Sequence, residues 1–253
     1  MTGSEQRAVI VTGAASGIGR AIVQRLAKDG WSVLGVDLEA SSDLEALGAT
    51  PLGADLTTRE GNRSAVDTAL ERFGRIDMIV PNAGFQHVAP IADFDEDRWD
   101  GLLAILLTSP FLLAKYGWEA LRAAPAGGRF VVIASAHALA ASPFKVGYVS
   151  AKHGTLGLVR TLALEGAAEG VTATAVCPGY VRTPLVEKQI ADQARSHGIP
   201  EERVLEEVLL APQAVKRLIE PSEVADVVAF LASPAGSAFT GTPVTMDLGW
   251  TAK

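Results

Sequence analysis

The chain has 253 residues and a hydrophobic content of 48%, which suit a globular protein with a sizeable core. Its net charge of −7 argues against a general nucleic-acid binder, because such proteins need a basic face. The single cysteine excludes an intrachain disulfide framework, and no uninterrupted apolar run reaches the roughly eighteen residues of a membrane span. With no secretory signal pattern at the N-terminus, we expect a cytoplasmic protein without nucleic-acid or membrane partners.

Short β-rich segments alternate with longer helical patterns along the chain. Strands are predicted at 8–12, 32–36, 50–54, 77–80, 129–134, 172–176 and 243–247, and helices near 17–29, 58–73, 95–123, 148–169 and 222–232. The strands show little polar alternation, as expected for strands buried on both faces. This order predicts an α/β fold, a single doubly wound domain over 1–253, with helices on both faces of a seven-stranded parallel sheet.

A glycine-rich turn follows the first predicted strand. In "VIVTGAASGIGRAIVQRLA", Gly13, Gly17 and Gly19 lie between that strand and the head of a helix. Glycine lets the backbone approach a pyrophosphate, and the free amides of the helix N-terminus favour its charge. The spacing differs from the G-x-G-x-x-G of many dinucleotide sites, so a turn without a ligand is the alternative.

Side chains at the next strand ends extend this prediction. A carboxylate at Asp37 can accept hydrogen bonds from the adenosine ribose and would repel a 2′-phosphate. Neither Ser16 nor Leu38 supplies a balancing cation, so the sequence predicts NAD rather than NADP; an ordinary turn residue is the alternative for Asp37. Asp55 ends the third strand, where it can meet the adenine, and the small residues 82–84 end the fourth, leaving room for a ribose.

A cluster of protic side chains lies in "SAHALAASPFKVGYVSAK", residues 135–152. Tyr148 and Lys152 are four residues apart at the start of a predicted helix and share one face. A nearby ammonium favours the phenolate, so Tyr148 can remove an alcohol proton as hydride leaves for the cofactor. Ser135, at the end of the fifth strand, can hold the substrate oxygen. An ordinary amphipathic helix is the alternative explanation.

Together, "TGAASGIG", "NAG", Ser135 and "YVSAK" occur in the order and at the distances found in short-chain dehydrogenases/reductases, which the whole chain resembles. Within that family, "GFQHVAPIADF", "CPGYVRTPLVEKQI" and "GWTAK" resemble the bacterial D-3-hydroxybutyrate dehydrogenases. The resemblance implies a Rossmann-type fold, (R)-3-hydroxybutyrate and acetoacetate as substrates, and a homotetramer formed through the helices near 95–123 and 148–169 and the last strand.

The resemblance also implies the residues of two binding sites. Those at the NAD cofactor are Gly13, Ser16, Gly17, Ile18, Gly19, Asp37, Asp55, Leu56, Asn82, Ala83, Gly84, Tyr148, Lys152, Pro178, Gly179, Val181 and Thr183. Those at the substrate are Gln86, His137, Lys145 and Gln189 at the carboxylate, Trp250 at the methyl group, and Ser135 and Tyr148 at the hydroxyl. Taken singly, Lys145 could be a solvated charge, His137 a structural hydrogen-bonding residue, Gln189 exposed surface and Trp250 core. No metal site is predicted.

An insertion, residues 184–212, separates the sixth and seventh strands. It is charged and helical in pattern and is broken at Gly198-Ile199-Pro200. Two short amphipathic helices would suit a mobile lid over a cleft, and Gln189 would then draw the lid onto the substrate. A helical excursion on the surface is the alternative.

One position departs from the family pattern. "WDGLLAILLTSPF" places Leu106 where members usually carry an asparagine that holds water beside the lysine in a proton relay. Because leucine has neither donor nor acceptor, protons must leave by another water path, or the protein binds NAD with little turnover. A third interpretation keeps the family and changes the substrate to another small hydroxy acid or a secondary alcohol.

Overall fold

The computed structural model describes residues 6–252, excluding the side chain of Lys188. Seven parallel strands form one sheet in the order β3-β2-β1-β4-β5-β6-β7. They are β1 Ala8–Thr12, β2 Ser32–Asp37, β3 Ala49–Gly53, β4 Met78–Val80, β5 Arg129–Ile133, β6 Thr172–Pro178 and β7 Pro243–Met246. The predicted parallel sheet is confirmed, with strand ends shifted by one or two residues.

Helices cover both faces of this sheet. They are α1 Gly17–Lys28, α2 Asp43–Ala46, α3 Arg59–Phe73, α4 Glu96–Leu103, α5 Ser109–Arg122, α6 Val146–Gly166, α7 Pro184–Lys188, α8 Ile190–His197, α9 Glu201–Val204 and α10 Pro221–Leu231. Apolar residues of α1 and α10 pack on one face, and those of α3, α5 and α6 pack on the other. The short helix α2 was not predicted.

The connection from β3 to β4 returns the chain to the far side of β1. In register, Val9 of β1 pairs with Val33 of β2 on one side and with Met78 of β4 on the other. Strand order therefore reverses between β1 and β4. In open α/β sheets, ligands bind at this reversal, outside the carboxyl ends of the strands.

The predicted helix over 95–123 is interrupted by a π turn, Ala104–Thr108, between α4 and α5. A π turn carries one residue more than an α-helical turn. The carbonyl of Leu106 accepts a hydrogen bond from Thr155 Oγ1 of α6 at 2.8 Å. By length and composition, the run Glu96–Arg122 is apolar enough to cross a membrane, although half of its apolar window is buried against the rest of the fold.

The insertion 184–212 is helical as predicted, comprising α7, α8, α9 and a π turn, Leu205–Leu209. It breaks at Gly198, which has a φ of 66°. Val186, Ala194 and Val204 form a small separate core with Tyr180, which follows β6. The insertion is thereby packed against the end of the sheet where the strand order places a ligand.

Candidate active site

A cavity of about 390 Å³ lies at the carboxyl ends of the first four strands. Its lining includes the predicted cofactor residues Gly13, Ser16, Gly17, Ile18, Asp37, Asp55, Leu56, Asn82, Ala83, Gly84 and Thr183. Among the side chains that the structure describes, no lysine or arginine lines it. The N-terminus of α1 has no side-chain cap at Ser16, so its amides are left for a bound group. These features fit a dinucleotide.

The glycine turn is fixed by close backbone packing. Gly13 has a φ of 65°, and a Cβ on Gly19 would lie 2.0 Å from the Gly13 carbonyl oxygen. Asn82 Nδ2 donates to the carbonyl oxygens of Thr12 and Gly13 at 2.8 and 3.3 Å. Thr12 Oγ1 in turn accepts from the amides of Asn82 and Ala83. Gly19, which the sequence analysis assigns to the cofactor site, thus packs beneath the turn and lines neither this cavity nor the smaller one that adjoins it.

Both acidic residues of this cavity are held by local hydrogen bonds. Asp37 accepts from the amides of Ala15 and Leu38, each at 2.9 Å. Asp55 Oδ1 accepts from the amide and the hydroxyl of Thr57, and the hydroxyl bond is the main cause of the lowered pKa of Asp55. Both carboxylates are oriented by the chain before any ligand binds.

A second, smaller cavity of about 110 Å³ adjoins the first. It brings together all the predicted catalytic and substrate residues: Gln86, Ser135, His137, Lys145, Tyr148, Lys152, Gln189 and Trp250. Pro178, Gly179 and Val181 line it as well. Ile18, Asn82, Gly84 and Thr183 line both cavities, so one continuous crevice runs from Asp37 to Trp250.

Burial governs the proton affinities in the smaller cavity. Burial raises the pKa of Tyr148 to about 12, and a hydrogen bond with Ser135 acts in the opposite direction. Lys152 lies with Nζ 5.5 Å from the Tyr148 ring centre and donates to the carbonyl of Ile133 at 2.7 Å. Burial lowers the pKa of Lys152 to about 8. In the protein without a ligand, burial therefore dominates the pKa of Tyr148. That the charge of Lys152 favours the phenolate stays a prediction.

His137 bridges two serines. Its Nδ1 lies 3.3 Å from Ser135 Oγ, and its Nε2 lies 3.0 Å from Ser142 Oγ. Burial and then the charge of Lys145 hold the pKa of His137 well below its usual value, so the imidazole is neutral. A neutral ring has one donor and one acceptor nitrogen, which fits hydrogen bonding on both sides.

Lys145 is a buried cation. Its side chain is 2% exposed, its Nζ donates to Tyr180 Oη at 3.0 Å, and burial lowers its pKa to about 8. No carboxylate of the described residues pairs with it. The alternative of a solvated loop charge is wrong. A buried ammonium without a counter-ion is costly, so this site calls for an anion.

Gln86, Gln189 and Trp250 complete the walls. Gln189 is 8% exposed, so the alternative of an exposed helix surface is also wrong. Its Nε2 donates to the carbonyl of Leu185 at 3.0 Å, and its buried Oε1 has no partner among the described side chains, which exclude Lys188. Gln86 is half-buried and accepts from the amide of His87. Trp250 packs edge to face on His137, with ring centres 4.8 Å apart.

Comparisons with known proteins indicate the family to which this chain belongs. A family model described as enoyl-(acyl carrier protein) reductase, one of the short-chain dehydrogenase type, matches residues 13–251. D-beta-hydroxybutyrate dehydrogenase of Rhizobium meliloti is 42% identical over 98% of this chain and 99% of its own length. The enzyme of the same name from Cupriavidus necator is 37% identical over 98% of each chain.

The chain belongs to the short-chain dehydrogenase/reductase family.

The solved structure of a levodione reductase superposes with a TM-score of 0.88 and 32% identity, covering 97% of this chain and 98% of that one. This short-chain dehydrogenase therefore has the family's fold over almost its full length, as predicted. The family typically uses a nicotinamide cofactor, and the crevice fits one.

Leu106 lies in the wall of the smaller cavity of this short-chain dehydrogenase. It is 3% exposed and packs so closely on Gly84 that a Cβ at that glycine would lie 2.4 Å from Leu106 Cδ2. An apolar side chain thus lies in the wall of the cavity that Lys152 also lines, at the position where the family pattern has an asparagine.

Among the residues at this crevice that the sequence prediction does not include, Thr12 and Tyr180 make hydrogen bonds that shape it. Thr12 was assigned only to a strand, although its hydroxyl joins the first and fourth strand ends. Tyr180 was passed over between Gly179 and Val181, although its side chain lines the cavity and binds Lys145. "CPGY" places an aromatic residue two positions after the end of the sixth strand, and that position is the available signal for Tyr180.

Proposed function

We propose that the protein is an NAD-dependent dehydrogenase interconverting (R)-3-hydroxybutyrate and acetoacetate. The observation that carries the proposal is the buried ammonium of Lys145 in the same cavity as Ser135 and Tyr148. A small hydroxy acid has a hydroxyl that can bind Ser135 and Tyr148 and a carboxylate that can bind Lys145. The 42% and 37% identical relatives named D-beta-hydroxybutyrate dehydrogenase support this substrate class.

In this proposal, the chain's side chains move one proton and hold one anion. Ser135 hydrogen-bonds the substrate hydroxyl and holds it beside Tyr148, which takes its proton as general base. In the opposite direction, the protonated phenol returns a proton to the carbonyl oxygen. Lys152 lies next to Tyr148 and stabilises the phenolate by its charge. The bound nicotinamide supplies the hydride acceptor or donor.

Asp37 supports NAD over NADP in this proposal. Its carboxylate lies at the end of β2, lines the larger cavity, and has no lysine or arginine beside it among the described lining residues. A 2′-phosphate at that point would meet a negative charge without compensation. Gly13, Gly17 and the N-terminus of α1 would hold the pyrophosphate.

The remaining parts of the proposal concern assembly and location. We propose a homotetramer in the cytoplasm, supported by large apolar side chains exposed on the helices predicted to form the contacts. Phe111 of α5 is 45% exposed, and Leu164 of α6 is 82% exposed. The single cysteine is buried, which suits a reducing compartment.

The test of the function is formation of NADH, followed at 340 nm, with (R)- and (S)-3-hydroxybutyrate and with NAD⁺ and NADP⁺. We expect turnover with the (R)-acid and NAD⁺ and at least tenfold lower kcat/KM in the other three combinations. Calorimetric binding of NAD⁺ with no turnover of any 3-hydroxy acid would contradict the proposal and support a weakly catalytic NAD-binding protein. Leu106 is the observation that favours that second candidate.

The substrate class is tested separately by Lys145→Ala. We expect about a hundredfold lower kcat/KM for the hydroxy acid. Without the ammonium, the substrate carboxylate would be buried without a partner, which costs several kcal/mol. Oxidation of a neutral alcohol such as the methyl ester of (R)-3-hydroxybutyrate should change by less than about threefold. Equal losses with both substrates would contradict a carboxylate at Lys145.

A further inference from the structure

Tyr180 occupies a fixed position in the substrate cavity. It directly follows Gly179 at the end of β6 and is 8% exposed. Its ring stacks on Trp250 with centres 5.6 Å apart and an interplanar angle of 8°. Its amide donates to Gln213 Oε1 at 3.4 Å, and its carbonyl accepts from the amide of Ile219 at 2.9 Å. Ring and backbone are therefore both held in place.

The bond between Lys145 and Tyr180 has only one polarity. An ammonium has three donors and no acceptor, so Tyr180 Oη must accept the hydrogen bond of 3.0 Å from Lys145 Nζ. The hydroxyl hydrogen of Tyr180 then points away from Lys145. Within residues 6–252, it has no acceptor.

An anion that neutralises Lys145 would lie within reach of this hydroxyl. The two donor atoms are adjacent, and both side chains line the same cavity. A carboxylate offers two oxygens and can accept from both donors at once. Burial, together with Tyr148, raises the pKa of Tyr180, so the phenol keeps its proton at neutral pH.

We propose that the Tyr180 hydroxyl donates a hydrogen bond to the substrate carboxylate held by Lys145, and so contributes to the preference for an acid over a neutral alcohol. This inference rests on the proposed function, because it assigns a further ligand to the same carboxylate. The Tyr180 hydroxyl therefore has a different role from the Trp250 ring, which stacks on Tyr180 and forms an apolar wall of the cavity.

The test compares Tyr180→Phe with the wild type on two substrates, (R)-3-hydroxybutyrate and its methyl ester. Hydrogen bonds to charged groups contribute about 1.5–3 kcal/mol, so KM for the acid should rise about tenfold to a hundredfold. The kcat for the acid and the kcat/KM for the ester should stay within about threefold. Equal effects on acid and ester, or an unchanged KM for the acid, would show that Tyr180 is only a wall.

The matched control is Tyr116→Phe. Tyr116 lies on α5, packs under Arg63 and lines neither cavity, so loss of its hydroxyl should leave both substrates unaffected. A double-mutant cycle with Lys145→Ala adds a second measurement. We expect the double variant to lose less than the product of the single losses, by at least threefold. If the double variant lost as much as the product of the two single losses, Lys145 and Tyr180 would not bind the same carboxylate.

Binding of acetate separates failure of this inference from failure of the proposed function. If the wild type oxidises no 3-hydroxy acid, the proposed function fails, and acetate titration followed by tryptophan fluorescence still probes the anion site. About tenfold weaker acetate binding by Tyr180→Phe would support the hydrogen bond. Equal affinity in the two proteins, or no binding by the wild type, would overturn it.

Discussion

The two ends of the crevice are built in different ways. At the nucleotide end, the polar groups bind one another: Asn82 and Thr12 join two strand ends, and Asp37 is held by backbone amides. At the substrate end, Lys145 is buried without a counter-ion and Gln189 Oε1 lacks a partner in the described residues. The first site is shaped mainly by backbone geometry, whereas the second carries charge that a ligand must balance.

This contrast predicts that activity falls most when the one side chain that transfers the proton is changed. Tyr148→Phe should lower kcat by about a thousandfold, because general acid–base groups contribute roughly 10²–10⁴-fold. The affinity for NAD⁺ should change little, since the nucleotide end is held by other groups. Turnover at 340 nm and calorimetry measure the two effects. Unimpaired turnover would remove Tyr148 as the base.

The substrate end should also respond strongly to pH. Lys145 has a pKa lowered to about 8, so it is charged below that pH and neutral above it. KM for (R)-3-hydroxybutyrate should be constant below about pH 7 and rise above pH 8, approaching tenfold per pH unit.

The control for this profile is the methyl ester. Lys152 has a similar pKa, so kcat should vary with pH for both substrates, whereas only KM for the acid should follow Lys145. A flat KM profile for the acid up to pH 10 would contradict the role of the ammonium.

At the nucleotide end, one carboxylate sets the choice of cofactor. Asp37→Ser should weaken NAD⁺ binding by about tenfold, the loss of one or two hydrogen bonds to a ribose. The same change removes the repulsion of a 2′-phosphate, so the affinity for NADP⁺ should rise. Calorimetric titration with both cofactors measures the shift. An unchanged NAD⁺/NADP⁺ ratio would contradict the role of Asp37.

The smallest change in activity is expected at Leu106, which packs on Gly84 where the nucleotide and substrate ends of the crevice meet. Leu106→Asn should raise kcat by up to threefold or leave it unchanged, because an amide in the wall of the cavity that holds Lys152 can bind water for proton transfer. Thermal melting should show a modest loss of stability, since a buried apolar side chain is replaced by a polar one. A large loss of kcat in a folded variant would show that Leu106 has another role.

Local sequence pattern was sufficient for most of the fold. The buried strands and the glycine turn depend on neighbouring residues, so hydrophobic runs and the spacing of Gly13, Gly17 and Gly19 locate them. The π turn at Leu106 was missed because its sequence is apolar and helical in pattern. The bond between Lys145 and Tyr180 was missed because it joins residues 35 positions apart that only the folded chain brings together.

The π turn between α4 and α5 has a consequence for chain length. One residue corresponds to about 100° of helix rotation, so the added residue turns the whole of α5 relative to α4. Deleting a single residue between 104 and 108 would rotate Leu113 out of the core or α4 away from α6. Point substitutions should be tolerated there far better than any change in the number of residues, because the orientation of α5 relative to α4 depends on how many residues lie between them and not on their identity.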